Sequence, residues 1–145
     1  MPGRVRKFFS AIFGARPVAE QILRSFEHQR QELRDQFFAQ AAASGKPRGL
    51  TWKSCSWLDT YILVEDSQPG LLTMFCGVNV AFEAIEGSDM DGVEAVSMIR
   101  DGSAVFHHQN GRWGSGGRVL FNMNPQMAAD TMALNQRVLS SSEPR

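Results

Sequence analysis

The chain reads as an α+β protein: an antiparallel β-meander of five to six strands, a long N-terminal helix preceded by a short amphipathic helix, and a C-terminal helix, packed on one face. Three observations predict this. Apolar residues recur with a helical period from Val18 to Phe37, the period becomes strand-like after Gly49, and Asn124-Pro125 opens a last helical stretch. The expected organisation is a basic amphipathic segment over residues 1–16, one α+β domain over 17–140 and a flexible tail over 141–145.

Val5, Phe8, Phe9, Ile12 and Phe13 follow the i, i+3, i+4, i+7, i+8 series of one helical face, with Arg4, Arg6, Lys7 and Ser10 on the remainder. Gly14 breaks the segment. Pro17 suits an early position of a second helix, where its missing N–H would have no partner anyway. Val18, Ile22, Phe26, Leu33 and Phe37 form the buried stripe of that helix, and Glu20 with Arg24 and Glu27 with Arg30 pair along its surface. It should stop near Ser44, because Gly45 can take a left-handed cap and Pro47 cannot continue the ladder. From 17 to 43 it spans about 40 Å at 1.5 Å per residue.

Leu50 to Trp57 and Thr60 to Glu65 read as two strands joined tightly around Leu58 and Asp59, followed by a Ser67-Gln68-Pro69-Gly70 turn. Leu72, Met74, Cys76, Val78, Val80, Phe82 and Ala84 then alternate with Thr73, Asn79 and Glu83, and Gly77 marks a bulge or bend. Val93 to Arg100 and Ser103 to Gln109 flank Asp101-Gly102, and Asn110-Gly111 follows. Both dipeptides are hairpin turns by composition, so a three-stranded meander is expected, its third strand split by Gly114, Gly116 and Gly117. Asn124 caps a final helix that runs to about Ser140, with Met127, Leu134 and Val138 on one side.

At 145 residues, 43% hydrophobic and 21% charged, the composition is that of one globular domain with a sizeable core. No apolar run reaches the length of a bilayer-spanning helix. Two cysteines, Cys55 and Cys76, sit in apolar strand-like runs and read as reduced core thiols in a cytoplasmic setting. Fifteen basic residues balance fifteen acidic ones, but residues 1–16 hold four basic groups and no acid, whereas residues 17–145 hold 11 basic and 15 acidic groups. The zero therefore describes a +4 arm on a −4 body, and the body weighs against nucleic acid as a partner.

Most local motifs lose on inspection. If Gly92 takes the sixth position of a calcium loop, Gly87 and Met98 stand at the first and twelfth positions, where carboxylates are required. Gly111 to Gly117 runs into a strand rather than a helix N-terminus, so it is no phosphate loop, although Arg112 and Arg118 keep an anion-binding option open. His107 and His108 point to opposite faces of a strand and do not share a metal. Across a two-residue Asn110-Gly111 turn, His108 lies opposite Trp113, a packing pair or a contact spot. Cys55 or Cys76 with a histidine and Asp59 lacks any local nucleophile signature. Lys46, Arg48 and Lys53 interleave with Trp52 and Trp57 in a pattern that could grip single strands, or simply flank two core tryptophans. No cofactor or metal is expected.

The leading reading is a non-enzymatic interaction or scaffold domain that self-associates, as a homodimer, or binds a protein partner. Its candidate surface is Arg4, Val5, Lys7, Phe8, Phe9, Ile12 and Phe13, a face suited to its own domain, a second subunit, a partner groove, an anionic membrane surface or an import receptor. The alternative is a small-molecule-binding or hydrolytic domain with a pocket between the long helix and the concave sheet. Trp52, Trp57, Tyr61, His108 and Trp113 are its candidate aromatics and contacts. Deleting residues 1–16 is expected to weaken self-association or liposome binding, read by light scattering and vesicle co-sedimentation. Binding that survives unchanged removes the segment from the function.

Overall fold

A computed structural model describes residues 15–68, 70–92, 98–132 and 136–142. The proposed interaction face on Arg4, Val5, Lys7, Phe8, Phe9, Ile12 and Phe13 lies outside them. The chain divides into two compact units, Met1–Arg30 and Gln31–Arg145, with the division inside helix α1 (Ala15–Ala43).

In the first unit the described part is the start of α1. Ala19 and Phe26 are buried there, Val18 is exposed despite its place in the apolar series, and Glu27 meets Arg30 at 2.9 Å across one turn.

The second unit holds the rest of α1, which closes at Ala43 with Gly45 at φ +72°. It also holds β1 (Leu50–Glu65), β2 (Leu72–Ala84), β3 (Ile99–Gln109), β4 (Arg112–Gly114), β5 (Val119–Phe121), helix α2 (Pro125–Met132) and β6 (Arg137–Ser141). The fold is α+β, with an open six-stranded antiparallel sheet in the order β4-β3-β2-β1-β6. β5 also pairs with β3, following β4 along the same edge.

Three segments differ from the expectation. Leu50–Trp57 and Thr60–Glu65 are one strand, not two: β1 arches between Trp57 and Tyr61, where three residues stand opposite Gly77. A Cβ on Gly77 would strike the Thr60 hydroxyl, so this glycine admits the arch. Asp101-Gly102 is not a turn but lies within β3, because Asn79 and Val78 of β2 pair with it in an unbroken ladder. The last helix ends at Met132 instead of about Ser140, and Arg137–Ser141 add a strand to the outer edge of β1. Val138 therefore packs from β6 and not from a helix.

Elsewhere local chemistry and structure agree. Asn110 and Gly111, at φ 54° and 76°, make the two-residue hairpin that sets His108 opposite Trp113. Asn124 caps α2, its side-chain oxygen accepting from the Met127 amide at 2.8 Å.

The two helices cover different faces rather than one. Val105 and Phe106 are successive residues on a regular strand and point opposite ways. On the Val105 side, Ile62, Val64 and Phe75 pack with Ala128 and Ala129 of α2. On the Phe106 side, the fully buried Phe37 of α1 meets Trp52 and Trp57 edge-on at 5.8 and 5.4 Å and Phe106 at 5.9 Å. Phe37→Ala is expected to cost about 3–5 kcal/mol in denaturant unfolding, as large-to-small core changes at phenylalanine do. Surface Met127→Ala is the control that should leave stability nearly unchanged.

Candidate functional site

The return strand beside β3 is interrupted by Ser115 to Arg118, four residues that stand opposite Val105 and Phe106. This bulge is anchored at both ends. The Val105 amide donates to the Arg118 carbonyl at 3.0 Å, Ser115 Oγ donates to the Val105 carbonyl at 3.4 Å, and the Gly117 amide donates to Ser115 Oγ at 3.1 Å. Gly117, at φ +81°, lies so close to α1 that an added Cβ would stand 2.7 Å from the Gln40 carbonyl carbon and closer still to the Ala41 amide. Only glycine fits there.

Between this bulge and the end of α1 opens a cleft of about 670 Å³. Ser44, Lys46 and Pro47 form one wall, Gly116, Gly117 and Arg118 another, and Trp52, Arg100, Val119 and Phe121 line the sheet side. Trp52 is the fixed floor: it is buried, donates from Nε1 to the Lys46 carbonyl at 2.7 Å, and packs against Phe82 and Phe121. Arg100 and Phe121 reach the cleft because their cross-strand partners, Val80 and Gly102, belong to the Phe106 face of the sheet. The Arg100 guanidinium lies 5.9 Å from the Phe82 ring centre.

Of the candidate aromatics and contacts named from sequence, Trp52 lines this cleft, and Trp57, Tyr61, His108 and Trp113 do not. Trp57 lies beneath Phe37 with the Arg34 guanidinium 4.9 Å from its ring. Tyr61 shares a hydroxyl hydrogen bond of 2.9 Å with Ser140. His108 and Trp113 are buried against each other, ring centres 5.0 Å apart. Lys53 pairs loosely with Glu83 at 3.6 Å. Arg118 and the glycines carried a sequence signal. Arg100, Val119 and Phe121 carried none, since they enter only once β3 is continuous and β5 turns Phe121 toward Trp52.

The cysteines and His108, considered together from sequence, lie apart along the sheet. Cys55 and Cys76 are thiols rather than a disulfide. Cys55 is opposite Val80, four residues along β2 from Cys76, a strand separation of about 13 Å. Cys76 is opposite Ala104, so His108 is again about 13 Å along the strand. Burial pushes the Cys55 thiol up to about 11, the wrong direction for a nucleophile. Among the described residues no three His, Cys, Asp or Glu side chains cluster as metal ligands, and no described helix is long and apolar enough to cross a membrane.

His107 accepts or donates one hydrogen bond with Thr73 Oγ1 at 3.2 Å. Burial holds its pKa below the ordinary 6.5, Asp66 opposing this and Arg118 reinforcing it; burial likewise lowers His108. The unfolded chain therefore takes up protons first as pH falls. Stability should be full above the ordinary histidine value and decline as pH drops through it toward the lower folded values. Denaturant titrations across that window should show the decline in the parent and a flatter profile when His107→Gln and His108→Gln are combined. Compared with family models, curated proteins and solved structures, the chain matches none.

Proposed function

We propose that this protein is a non-enzymatic ligand-binding domain that holds a small molecule in the cleft between the end of α1 and the Ser115–Arg118 bulge. The observation that carries this reading is the cleft's size together with its lining. Its 670 Å³ lies within the roughly 300–1,000 Å³ of small-molecule sites. Trp52, Val119 and Phe121 provide apolar surface, and a few polar groups converge around them, the mixture such sites use for affinity and orientation. The floor is held by the Trp52–Lys46 hydrogen bond and the wall by the bulge's own hydrogen bonds, so the site is preorganised. Low cysteine usage fits a reducing compartment and supports a cytoplasmic location, with a membrane-peripheral one as the alternative.

A scaffold that self-associates is the second reading. It is favoured by the outer edge of β1 from Leu50 to Thr60, with which no described strand pairs. Its two irregularities and Lys53 are features that blunt edge pairing, so it ranks below the cleft.

Filling the cleft tests the first reading. Val119→Trp should abolish binding of small aromatic probes, followed by amide chemical-shift changes at Gly116 to Phe121, while the melting temperature stays near that of the parent. Probe binding that persists at other amides, with the cleft resonances unmoved, overturns it.

A further inference from the structure

We propose that the ligand of this cleft is an anion, a planar aromatic ring carrying a carboxylate or phosphate; the inference rests on the reading of the cleft as a small-molecule site. Three cations, Lys46, Arg100 and Arg118, line the cleft, and among the described residues no aspartate or glutamate does. None of the three has a carboxylate within ion-pair distance among the described residues, whose ion pairs at Glu65, Glu83 and Glu27 lie elsewhere. This is a local excess on a body whose net charge from residue 17 onward is −4.

The backbone explains how the excess survives beside acidic sequence. Asp101 follows Arg100 directly, yet pairs with Asn79 and so projects from the opposite face of the sheet. Glu83 is opposite Thr51 and reaches Lys53 on that same far side. The C-terminal end of α1 adds a negative partial charge beside the cleft, worth about half an elementary charge, and three full positive charges outweigh it.

How the anion is held also follows. The Gly117 amide is already donated to Ser115 Oγ, and the helix end at Ser44 presents carbonyls, so neither a glycine nest nor a helix N-terminus supplies the binding. Recognition falls to the side chains of Arg118, Arg100 and Lys46. A guanidinium fork matches a carboxylate or phosphate in two parallel hydrogen bonds, and Arg100 is steadied by the Phe82 ring. The apolar part of the ligand meets Phe121, half-buried, and the exposed margin of Trp52.

Calorimetric titration of the full chain with two matched pairs of probes tests this: naphthalene carboxylate against naphthyl methanol, and adenosine monophosphate against adenosine. The expected result is that at least one anion binds tenfold or more tightly than its neutral counterpart, and that raising salt narrows the difference. Arg118→Ala and Arg100→Ala should each weaken the anion roughly 10- to 100-fold, the equivalent of one hydrogen bond to a charged group, and leave the neutral probe unchanged. Circular dichroism verifies that both variants fold, and Arg112→Ala, outside the cleft, is the control. Neutral probes that bind as tightly as the anions overturn the anionic ligand while the cleft remains a binding site. If no probe of either kind binds, both readings fall. Inorganic phosphate binding as tightly as adenosine monophosphate removes the aromatic half, and a short oligothymidylate that outcompetes every small probe replaces the proposal with a single-strand-binding surface.

Discussion

The constraint on which the rest of this structure depends is that β2 is buried on both faces. From Leu72 to Val78 every residue is buried, Thr73 and Phe75 on one side and Met74, Cys76 and Val78 on the other. A strand at the centre of an antiparallel sheet is commonly solvated on one face; burying both requires a second layer on each side. α1 supplies one layer with Phe37, and α2 supplies the other with Ala128 and Ala129. The small alanines let α2 sit close over Ile62, Val64 and Phe75, which compensates for its eight residues. The large Phe37 does the reverse, filling a wider gap lined by Trp52, Trp57 and Phe106. Each fully buried phenylalanine of this kind contributes about 1.5–3 kcal/mol of transfer free energy, so the aromatic layer is a principal source of stability.

The cleft is a consequence of where that cover stops. α1 ends at Ala43 while the sheet face beneath it continues to Trp52, Phe82, Phe121 and Arg100. Chain that would otherwise close the gap is diverted. The loop after α1 folds back to accept the Trp52 indole N–H at Lys46, and the two extra residues of the Ser115–Arg118 bulge are spent on contact with the α1 backbone at Gly117. A longer helix or a regular β4–β5 strand would have covered Trp52 and Phe121 with protein. Hydrogen bonds hold both walls in place, which is why the opening is a feature of the fold and not a packing defect.

What was legible in the sequence followed from local rules strong enough to survive tertiary context. The alternation of Leu72 to Phe82 placed β2, Asn110-Gly111 set the His108–Trp113 register, and Asn124-Pro125 started α2. The misreadings share a cause. Asp101-Gly102 has turn composition, but Val78 and Asn79 offer a complete hydrogen-bonding edge, and ladder pairing outweighs dipeptide preference. Leu58-Asp59 looked like a turn for the same reason, while Gly77 across the ladder removes the Cβ that would have obstructed a continuous strand. Val138 is in phase with the α2 stripe, yet the open edge of β1 at Ile62 to Glu65 takes the segment as a strand. The cleft was the least legible part. Lys46, Arg100 and Arg118 lie more than fifty residues apart at the widest step, and strand alternation shows they converge only after the register of β3 is known.

The balanced charge of the chain bears on the same point. A sequence with equal numbers of acids and bases can pair them, and the surface pairs Arg30–Glu27, Lys53–Glu83 and Arg137–Glu65 do so. Such exposed pairs contribute little to stability, about 0–1 kcal/mol each, so folding energy does not force every cation to find one. Gathering three unpaired cations costs little as well: two unit charges roughly 10 Å apart in water repel by about 0.4 kcal/mol. Stability is therefore nearly indifferent to whether Lys46, Arg100 and Arg118 are matched by acids, and the aromatic layer sets the fold without them. The sheet's alternation then decides the outcome, sending Asp101 and Glu83 to one face and Arg100 to the other, so that a neutral chain acquires a positive recess at the place where its helical cover ends.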